Sequence, residues 1–417
     1  MDMVRSGDGV FDLTVPDHFA DGHPFETYDR LRATEPVYRN PGAPQGAPLW
    51  VLTRHADIDA VSRDNVNYSS IQGNRVLEQG GGLGVLKPHI RAAVGSMMLT
   101  MDPPQHGAVR RPMQGHFMPS ALRRLEQQVD AFVEEMVTEL PAGEDIEFVT
   151  RVAAIVPIRT LCLMLGIPEE DRPKVFDWTN RLVGTSDPEY GATPEESNAV
   201  FEEVFDYGSS LLEQRRAEPR EDLLTAVSQL FADGTERART IEHGMFTLLL
   251  AAGNETTRNS LSGAIAVLSR FPEQRRLLAE NPDLIESAIP ELLRFVTPVY
   301  QMMRTAVNDV IVGGQTVAAG ERVALLYGAA NRDPAMFTDP HRLDIGRANA
   351  ARHLSFGIGI HHCLGARVAT MQLAALLRAI LKRFPDIEIA SEPDYLRSNF
   401  VCGIKRLSVH TGTERRQ

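Results

Sequence analysis

From Thr240 to the residue before Pro272 the sequence reads TIEHGMFTLLLAAGNETTRNSLSGAIAVLSRF, with apolar residues at spacings of three and four throughout. Thr240 is read as the N-cap and Pro272 as the stop. About 30 residues at 1.5 Å each make a rod of roughly 45 Å, long enough to cross the whole protein. The other elements must therefore pack around it. Its middle, AAGNETT at 251–257, sets Gly253 beside an acid and two threonines inside an apolar helix, so local propensity is sacrificed there. A threonine hydroxyl competes for the carbonyl four residues back and opens a small gap in the helix. The plain alternative is close helix packing on Gly253, with Glu255 held by an ordinary partner.

Elsewhere the pattern alternates helices with short strands. Residues 1–23 read as a loosely structured lead-in, broken by Pro16, Gly22 and, just beyond, Pro24. A helix follows over Phe25–Thr34, then strands at 36–39 and 48–53 joined by NPGAPQGAP as a hairpin with a long turn, then a helix over His55–Arg63. Residues 65–100 are irregular, with GGGLG at 80–84. They carry Ile71, Leu83, Val85, Leu86, Met97 and Met98, a loop apolar enough to cover something apolar. After Asp102, Pro103 and Pro104, His106 and Arg110 share one helix face. Helices are expected over 119–139, 149–165 and 196–216. Glu291 and Arg294 are three apart and able to pair, directly after Pro290, which removes a helical hydrogen bond and favours a kink. Strands recur over 299–328 (VIVGGQTV, ERVALLYG) and over 385–412, with a tip at Phe400 and Val401. Neither repeats nor a break in composition marks a domain boundary.

Composition narrows the function. Hydrophobic content of 43% and charged content of 24% over 417 residues describe a globular chain with a sizeable core. The net charge of −12 argues against nucleic acid as a partner. No signal peptide is expected from the acidic N-terminus, and no membrane anchor, because no apolar run approaches about 20 residues. Three cysteines, at 162, 363 and 402, form no disulfide framework and fit a reducing cytoplasm.

The cysteine at 363 stands apart from the other two. It lies in FGIGIHHCLG (356–365), among Gly357, Gly359 and Gly365, just before the helical run ARVATMQLAALLRAILKRF. The glycines suit a tight bend that lets a bulky flat ligand approach the main chain. The helix start favours an anion, so the sulfur is expected as thiolate, the form that binds metal. A buried structural cysteine in a Gly-rich turn is the simpler alternative. A zinc site on His361, His362 and Cys363 lacks the second spaced pair that such sites use.

This decapeptide resembles the cysteine-ligand loop of the cytochrome P450 family at Phe356, Gly357, Gly359, His361, Cys363 and Gly365. Ala252, Gly253, Glu255 and Thr256 resemble the family's oxygen-activating motif, and Glu291, Arg294 and Arg347 its structural Glu-x-x-Arg pair with a third member. The resemblance implies a mainly α fold with small β-sheets, a single domain over 1–417 with a long central helix and haem b buried between helices. The β-rich side would lie near 30–60, 299–328 and 385–412, and the substrate lid near 65–100. It implies that Cys363 is the axial iron ligand, that His106, Arg110, Arg304, His353 and His361 hold the propionates, and that Phe356 and Gly365 flank the cofactor. Glu255 and Thr256 would direct protons to bound dioxygen, a neutral hydroxyl beside a relayed carboxyl being what general-acid work requires.

The implied activity is a monooxygenase using O2, with electrons from a ferredoxin and its NAD(P)H-dependent reductase. Arg111, Arg352 and Arg367 would meet the ferredoxin, although Thr370 stands where many members carry Arg. By resemblance the substrate wall comprises Leu248, Ala251, Ala252, Val299, Phe400 and Val401. These are small or apolar, and no Arg or Lys is evident among them to hold a carboxylate. A bulky, neutral, hydrophobic substrate such as a terpenoid or steroid is expected, in a cytoplasmic monomer. Macrolide or aromatic tailoring, a peroxide-driven haem-thiolate enzyme and a non-catalytic haem protein remain alternatives.

Overall fold

The central rod runs from Glu236 to Arg270, 35 residues or about 52 Å. Thr235 caps it, its hydroxyl accepting the Ala238 N–H at 3.2 Å. Thr240 lies one turn inside, bonded to the Glu236 carbonyl at 2.9 Å, so the expected start is corrected by a full turn. The first turn is the polar ERAR, which carries no apolar stripe to announce a helix. Beyond Asn254 nearly every face of the rod is buried, as expected of a helix enclosed by others.

The structure, a computed structural model, describes residues 10–414 apart from 44–45, 78–85, 185–186, 191–192 and 231–234. In chain order its helices are α1 (Phe25–Thr34), α2 (His55–Arg63), α3 (Pro88–Val94), α4 (Gln105–Gln114), α5 (Pro119–Thr138), α6 (Ile155–Leu165), α7 (Arg172–Val183) and α8 (Pro194–Ala217). They continue as α9 (Leu223–Ser228), the rod α10, α11 (Pro272–Glu280), α12 (Ile285–Val296), α13 (Tyr327–Ala330) and α14 (Ala366–Arg383). The rod packs on α3, α6, α7, α8, α12 and α14. Leu250, Leu261 and Ile265 of α10 and Leu376, Leu377 and Ile380 of α14 are fully buried there. Each such aliphatic contributes roughly 1.5–3 kcal/mol of transfer free energy.

The expected helix over 149–165 divides. Residues Val149–Ala153 form one π-turn, with the Ala154 N–H reaching the Val149 carbonyl at 2.8 Å, and α6 begins at Ile155. Helix α12 continues through Pro290. The lead-in is not loose from Val10 onward: Phe11, Leu13 and Phe19 are buried beside Tyr28, Tyr300 and Met303. Three apolar side chains at irregular spacing give no periodic signal, which is why the sequence reads as open there.

The main sheet has the order β1 (Val37–Arg39), β2 (Leu49–Leu52), β8 (Arg322–Leu326), β5 (Gln301–Ala306), β3 (Tyr68–Ser69). The β1–β2 hairpin is antiparallel, with Val37 opposite Leu52, and β2 runs parallel to β8 with Leu49 opposite Arg322. Strands β6 (Val310–Val312) and β7 (Gln315–Val317) form a hairpin. Strand β4 (Asp145–Glu147) pairs with β12 (Ser408–His410), which also pairs with β9 (Glu388–Ile389). Strands β10 (Asp394–Tyr395) and β11 (Ile404–Arg406) pair around the tip that carries Phe400 and Val401.

Of the expected lid, GGGLG, Leu83 and Val85 lie outside the described residues. Leu86 packs on Ile90, Ala93 and Phe205, while Met97 and Met98 join the main core. Ile71 is 64% exposed and packs on no other part of the protein core among the described residues. Helix α3 lies directly on the rod: a Cβ on Gly244 would stand 2.3 Å from the Ala93 carbonyl oxygen, so only glycine permits this approach.

Candidate active site

The loop before α14 is shaped by its backbone. Gly357 and Gly359 have φ of +63° and +76°, and the Cys363 N–H closes the loop on the Phe356 carbonyl at 2.8 Å. A Cβ on Gly359 would lie 2.3 Å from the Ser62 carbonyl oxygen, so this glycine admits the end of α2. The bend expected from the sequence is there, and at Gly359 the missing Cβ makes room for α2. A Cβ on Gly365 would meet no protein atom within 4 Å, and its φ of −84° is open to any residue. Gly365, the N-cap of α14, is thus the glycine that keeps one side of the cysteine open.

Burial pushes the Cys363 thiol up, against the pull of the Gly365 N–H and the Arg110 charge. The thiolate read from the helix start is thus opposed by burial, and the charge of a bound metal would favour it.

Around this loop the fold gathers basic side chains from distant segments. His106 and Arg110 come from α4, Arg304 from β5 and His361 from the loop. The His106 and His361 rings stand 4.6 Å apart, edge to face. His106 is 4% and Arg304 6% exposed, and the His106 Nε2 and His361 Nδ1 atoms have no hydrogen-bond partner among the described residues. Burial and the charges of Arg304, His106 and Arg110 push His361 down to about 3. Burial, then Arg110, lowers His106 as well. Arg110 donates to the His362 carbonyl at 2.7 Å and Arg304 to the Met303 carbonyl at 2.8 Å, while the His361 Nε2 meets the Ser70 hydroxyl at 3.2 Å. Buried donors in such concentration call for an anion with several acceptor oxygens. Two propionate carboxylates fit that set.

His353 stands slightly apart. Its Nδ1 accepts the Ser355 N–H at 3.1 Å, its ring lies 5.5 Å from Phe356, and burial, His362 and Arg294 push it down to about 4.

On the rod, Ala252 is exposed and Thr256 half-buried although both lie mid-helix, so this face is not covered by protein. The Thr256 hydroxyl donates to the Ala252 carbonyl at 2.9 Å, the back-bond expected from the sequence. Glu255 is 1% exposed and held on both sides. Arg258 forms an ion pair with it, and Asn259 donates to its Oε1 at 3.0 Å. Arg258 also donates to the Asn180 Oδ1 at 2.6 Å, Asn254 to the Thr179 hydroxyl at 2.7 Å, and the Ile404 N–H to the Asn259 Oδ1 at 3.0 Å. The acid is therefore tied through Arg258 to α7 and through Asn259 to β11. Sequence reasoning passed over both residues, because Arg258 and Asn259 acquire their partners only when α7 and β11 dock on the rod.

Glu291, Arg294 and Arg347 meet in one buried cluster. Arg294 grips Glu291 with two hydrogen bonds of 2.7 Å, and the Arg347 Nε donates to the two Glu291 oxygens at 3.0 and 3.1 Å. A second hub escaped the sequence. Asn331 is fully buried, accepts the Leu354 N–H at 2.7 Å and donates to the Ser355 and Thr297 hydroxyls, linking α12 to the approach of the cysteine loop. The run ANRDP gave a signal, three polar residues after a buried strand and helix, but no partner.

Of the expected wall, Leu248, Val299 and Val401 are buried, Ala251 and Phe400 half-buried, and Val299 and Val401 form an antiparallel bridge. Arg75 sets its guanidinium 5.2 Å over the Phe400 ring, from a segment pinned by the Met303 N–H on the Asn74 carbonyl at 2.7 Å. Arg111, Arg352 and Arg367 are exposed, and the Thr370 hydroxyl turns back to the Ala366 carbonyl at 2.9 Å. No helix among the described residues is long and apolar enough to cross a membrane.

Residues 84–408 match the sequence model of the family described as Cytochrome P450. The chain is 36% identical over 401 residues to a linalool 8-monooxygenase of Pseudomonas putida, covering 95% of this chain and 98% of that protein. It is 33% identical over 407 residues to a steroid C26-monooxygenase of Rhodococcus jostii, covering 96% and 84%. Among solved structures it resembles a cytochrome P450 of Mycobacterium marinum in complex with pseudoionone, with a TM-score of 0.86, 34% identity and coverage of 98% and 100%.

Proposed function

The chain belongs to the cytochrome P450 family of monooxygenases, with haem b as its cofactor, and on that premise we propose that it oxidises a bulky, largely neutral terpenoid or steroid with O2 and ferredoxin-derived electrons. The observation that carries the site assignment is the gathering of buried His106 and Arg304 with half-buried Arg110 and His361 around the cysteine loop, a donor array suited to two carboxylates. When bound through a thiolate, the haem supplies oxygen activation and one-electron chemistry.

The chain's own residues do the rest. Cys363 ligates, the basic set orients the cofactor, and Gly365 leaves room for it. Thr256 presents a hydroxyl bonded to the Ala252 carbonyl, and Glu255, held by Arg258 and Asn259, is the acid of the relay. Leu248, Ala251, Ala252, Val299, Phe400 and Val401 support an apolar substrate by their chemistry. The relatives named for linalool and for steroids favour the same class.

The test is spectroscopic. The reduced carbon monoxide complex is expected to show the strongly red-shifted Soret band of a thiolate ligand. Terpenoid alcohols and steroids are expected to shift the ferric spin state, and a response to charged aromatic acids alone would overturn the substrate class.

A further inference from the structure

Helix α12 does not end on a glycine. Its C-cap is Thr297, a β-branched residue with φ of +44° and ψ of +77°, in the left-handed region that favours glycine. Backbone strain of this kind persists only where the surroundings over-determine it. At Thr297 they do, for the residue is 1% exposed and each of its polar groups is engaged. Its N–H donates to the Leu293 carbonyl at 2.9 Å, and its hydroxyl to the Arg294 carbonyl at 2.8 Å. Its own carbonyl lies 2.8 Å from the His23 Nε2; a carbonyl only accepts, so that nitrogen carries the proton. The fourth bond comes from Asn331, whose Nδ2 donates to the Thr297 hydroxyl at 2.8 Å.

This strained turn lies between two parts of the proposed site. On one side it hands the chain to Pro298 and Val299. The Cys402 N–H bonds to the Pro298 carbonyl at 2.9 Å, Val299 bridges to Val401, and the Tyr300 N–H bonds to the Phe400 carbonyl at 2.8 Å. The direction taken at Thr297 therefore sets both segments of the proposed wall. On the other side, the same Asn331 amide holds the approach to the cysteine. Its second N–H donates to the Ser355 hydroxyl at 2.9 Å, and its oxygen accepts the Leu354 N–H at 2.7 Å. Phe356, the next residue, closes the loop on the Cys363 N–H. One planar amide thus spans wall and ligand loop, with both its N–H groups and its oxygen in use.

We propose that Thr297 is a positioning residue that fixes the separation between the wall at Val299 and the cofactor held by the Cys363 loop, and with it the carbon of the substrate that is oxidised. The left-handed turn aims the wall, and the hydroxyl keyed to Asn331 keeps the turn from relaxing. Displacements on the order of 1 Å decide which carbon of an apolar substrate lies within reach of the oxidant, so a rigid spacer here selects among neighbours. The sequence gives no hint of this, since Thr-Pro reads only as the end of a helix.

The inference rests on the haem-thiolate reading and on Val299 as part of the wall, and its test separates the three. Holoenzyme is treated with phenyldiazene, which places a phenyl group on the iron, and then with ferricyanide, which drives the phenyl onto whichever porphyrin nitrogens the wall leaves open. The ratio of the four N-phenylporphyrins, read by chromatography, needs no substrate. Thr297→Gly keeps the backbone angle and deletes the hydroxyl. It is expected to change the ratio severalfold, favouring the same isomers as Val299→Ala, with the red-shifted carbon monoxide band retained. Thr297→Ser, which keeps the hydroxyl, is expected to return the parent ratio. A parent ratio in Thr297→Gly, a departure from it in Thr297→Ser, or loss of the band in Thr297→Gly would each overturn the proposal; in the last case the hub holds the cofactor rather than the wall. A parent ratio in Val299→Ala would instead remove Val299 from the wall, and the proposal with it. A parent protein lacking the band would overturn the haem-thiolate reading on which both depend.

Discussion

Thr256 and Glu255 are adjacent in sequence, yet their side chains are engaged in opposite directions. The hydroxyl is bonded within its own turn, and the carboxylate is clasped by Arg258 and Asn259. Replacing Thr256 by Ala is expected to leave reductant and oxygen consumption running while peroxide replaces product, measured as product formed per reductant; full coupling would remove Thr256 from the relay. In the proposed relay Arg258 would be a positioning residue. Arg258→Leu leaves Glu255 buried beside one amide, so coupling should fall and the solvent isotope effect on turnover should change, with Arg258→Lys restoring part of both. An Arg258→Leu enzyme with an unaltered isotope effect would reduce that residue to a structural role. The cysteine, the threonine and the acid were legible because their signals are local and consecutive. Arg258, Asn331 and Arg75 were not, since each takes its meaning from a partner tens to hundreds of positions away, and the role of Gly359 became visible only when α2 lay against it.

At the scale of elements, the lead-in and α12 carry consequences for stability. His23 precedes α1, and burial, reinforced by the Arg332 charge and opposed by its bond to Thr297, pushes it from 6.5 down to about 3. Its ring stays neutral in the folded protein while the unfolded chain takes up the proton first. Stability is therefore fully present above about pH 6.5 and declines towards pH 3, by roughly 1 kcal/mol per pH unit for this one group. A His23→Gln variant should show a shallower loss of melting temperature with acidification, and an identical profile would place the acid lability elsewhere. In α12, Arg294→Leu leaves Glu291 buried with Arg347 as its one remaining charged partner, at a cost of about 3 kcal/mol. Urea unfolding of the holoenzyme should report it, together with faster haem loss. Most helices are readable from apolar periodicity. The departures, the polar first turn of α10 and the π-turn before α6, occur where that stripe is absent or where hydrogen bonding shifts by one residue.

For the molecule as a whole, net charge and surface charge point in opposite directions. The chain carries −12 overall, yet Arg111, Arg352 and Arg367 are exposed on segments that adjoin the cysteine loop. Reversing Arg352 to Glu should slow reduction by an acidic ferredoxin at low ionic strength and matter less as salt rises; salt-independent, unchanged kinetics would remove this face as the docking site. The main sheet also constrains how the molecule comes into being. Strand β2 finds its parallel neighbour β8 only after residue 322 has been made, and Asn399 donates to the Leu13 carbonyl at 2.8 Å. During synthesis the N-terminal hairpin must wait with an open edge while the helices emerge and assemble without it. The outer edge of the first hairpin stays uncovered until β8 is made, so a chain stalled before β8 would expose a β-edge that other chains, or a chaperone, could occupy.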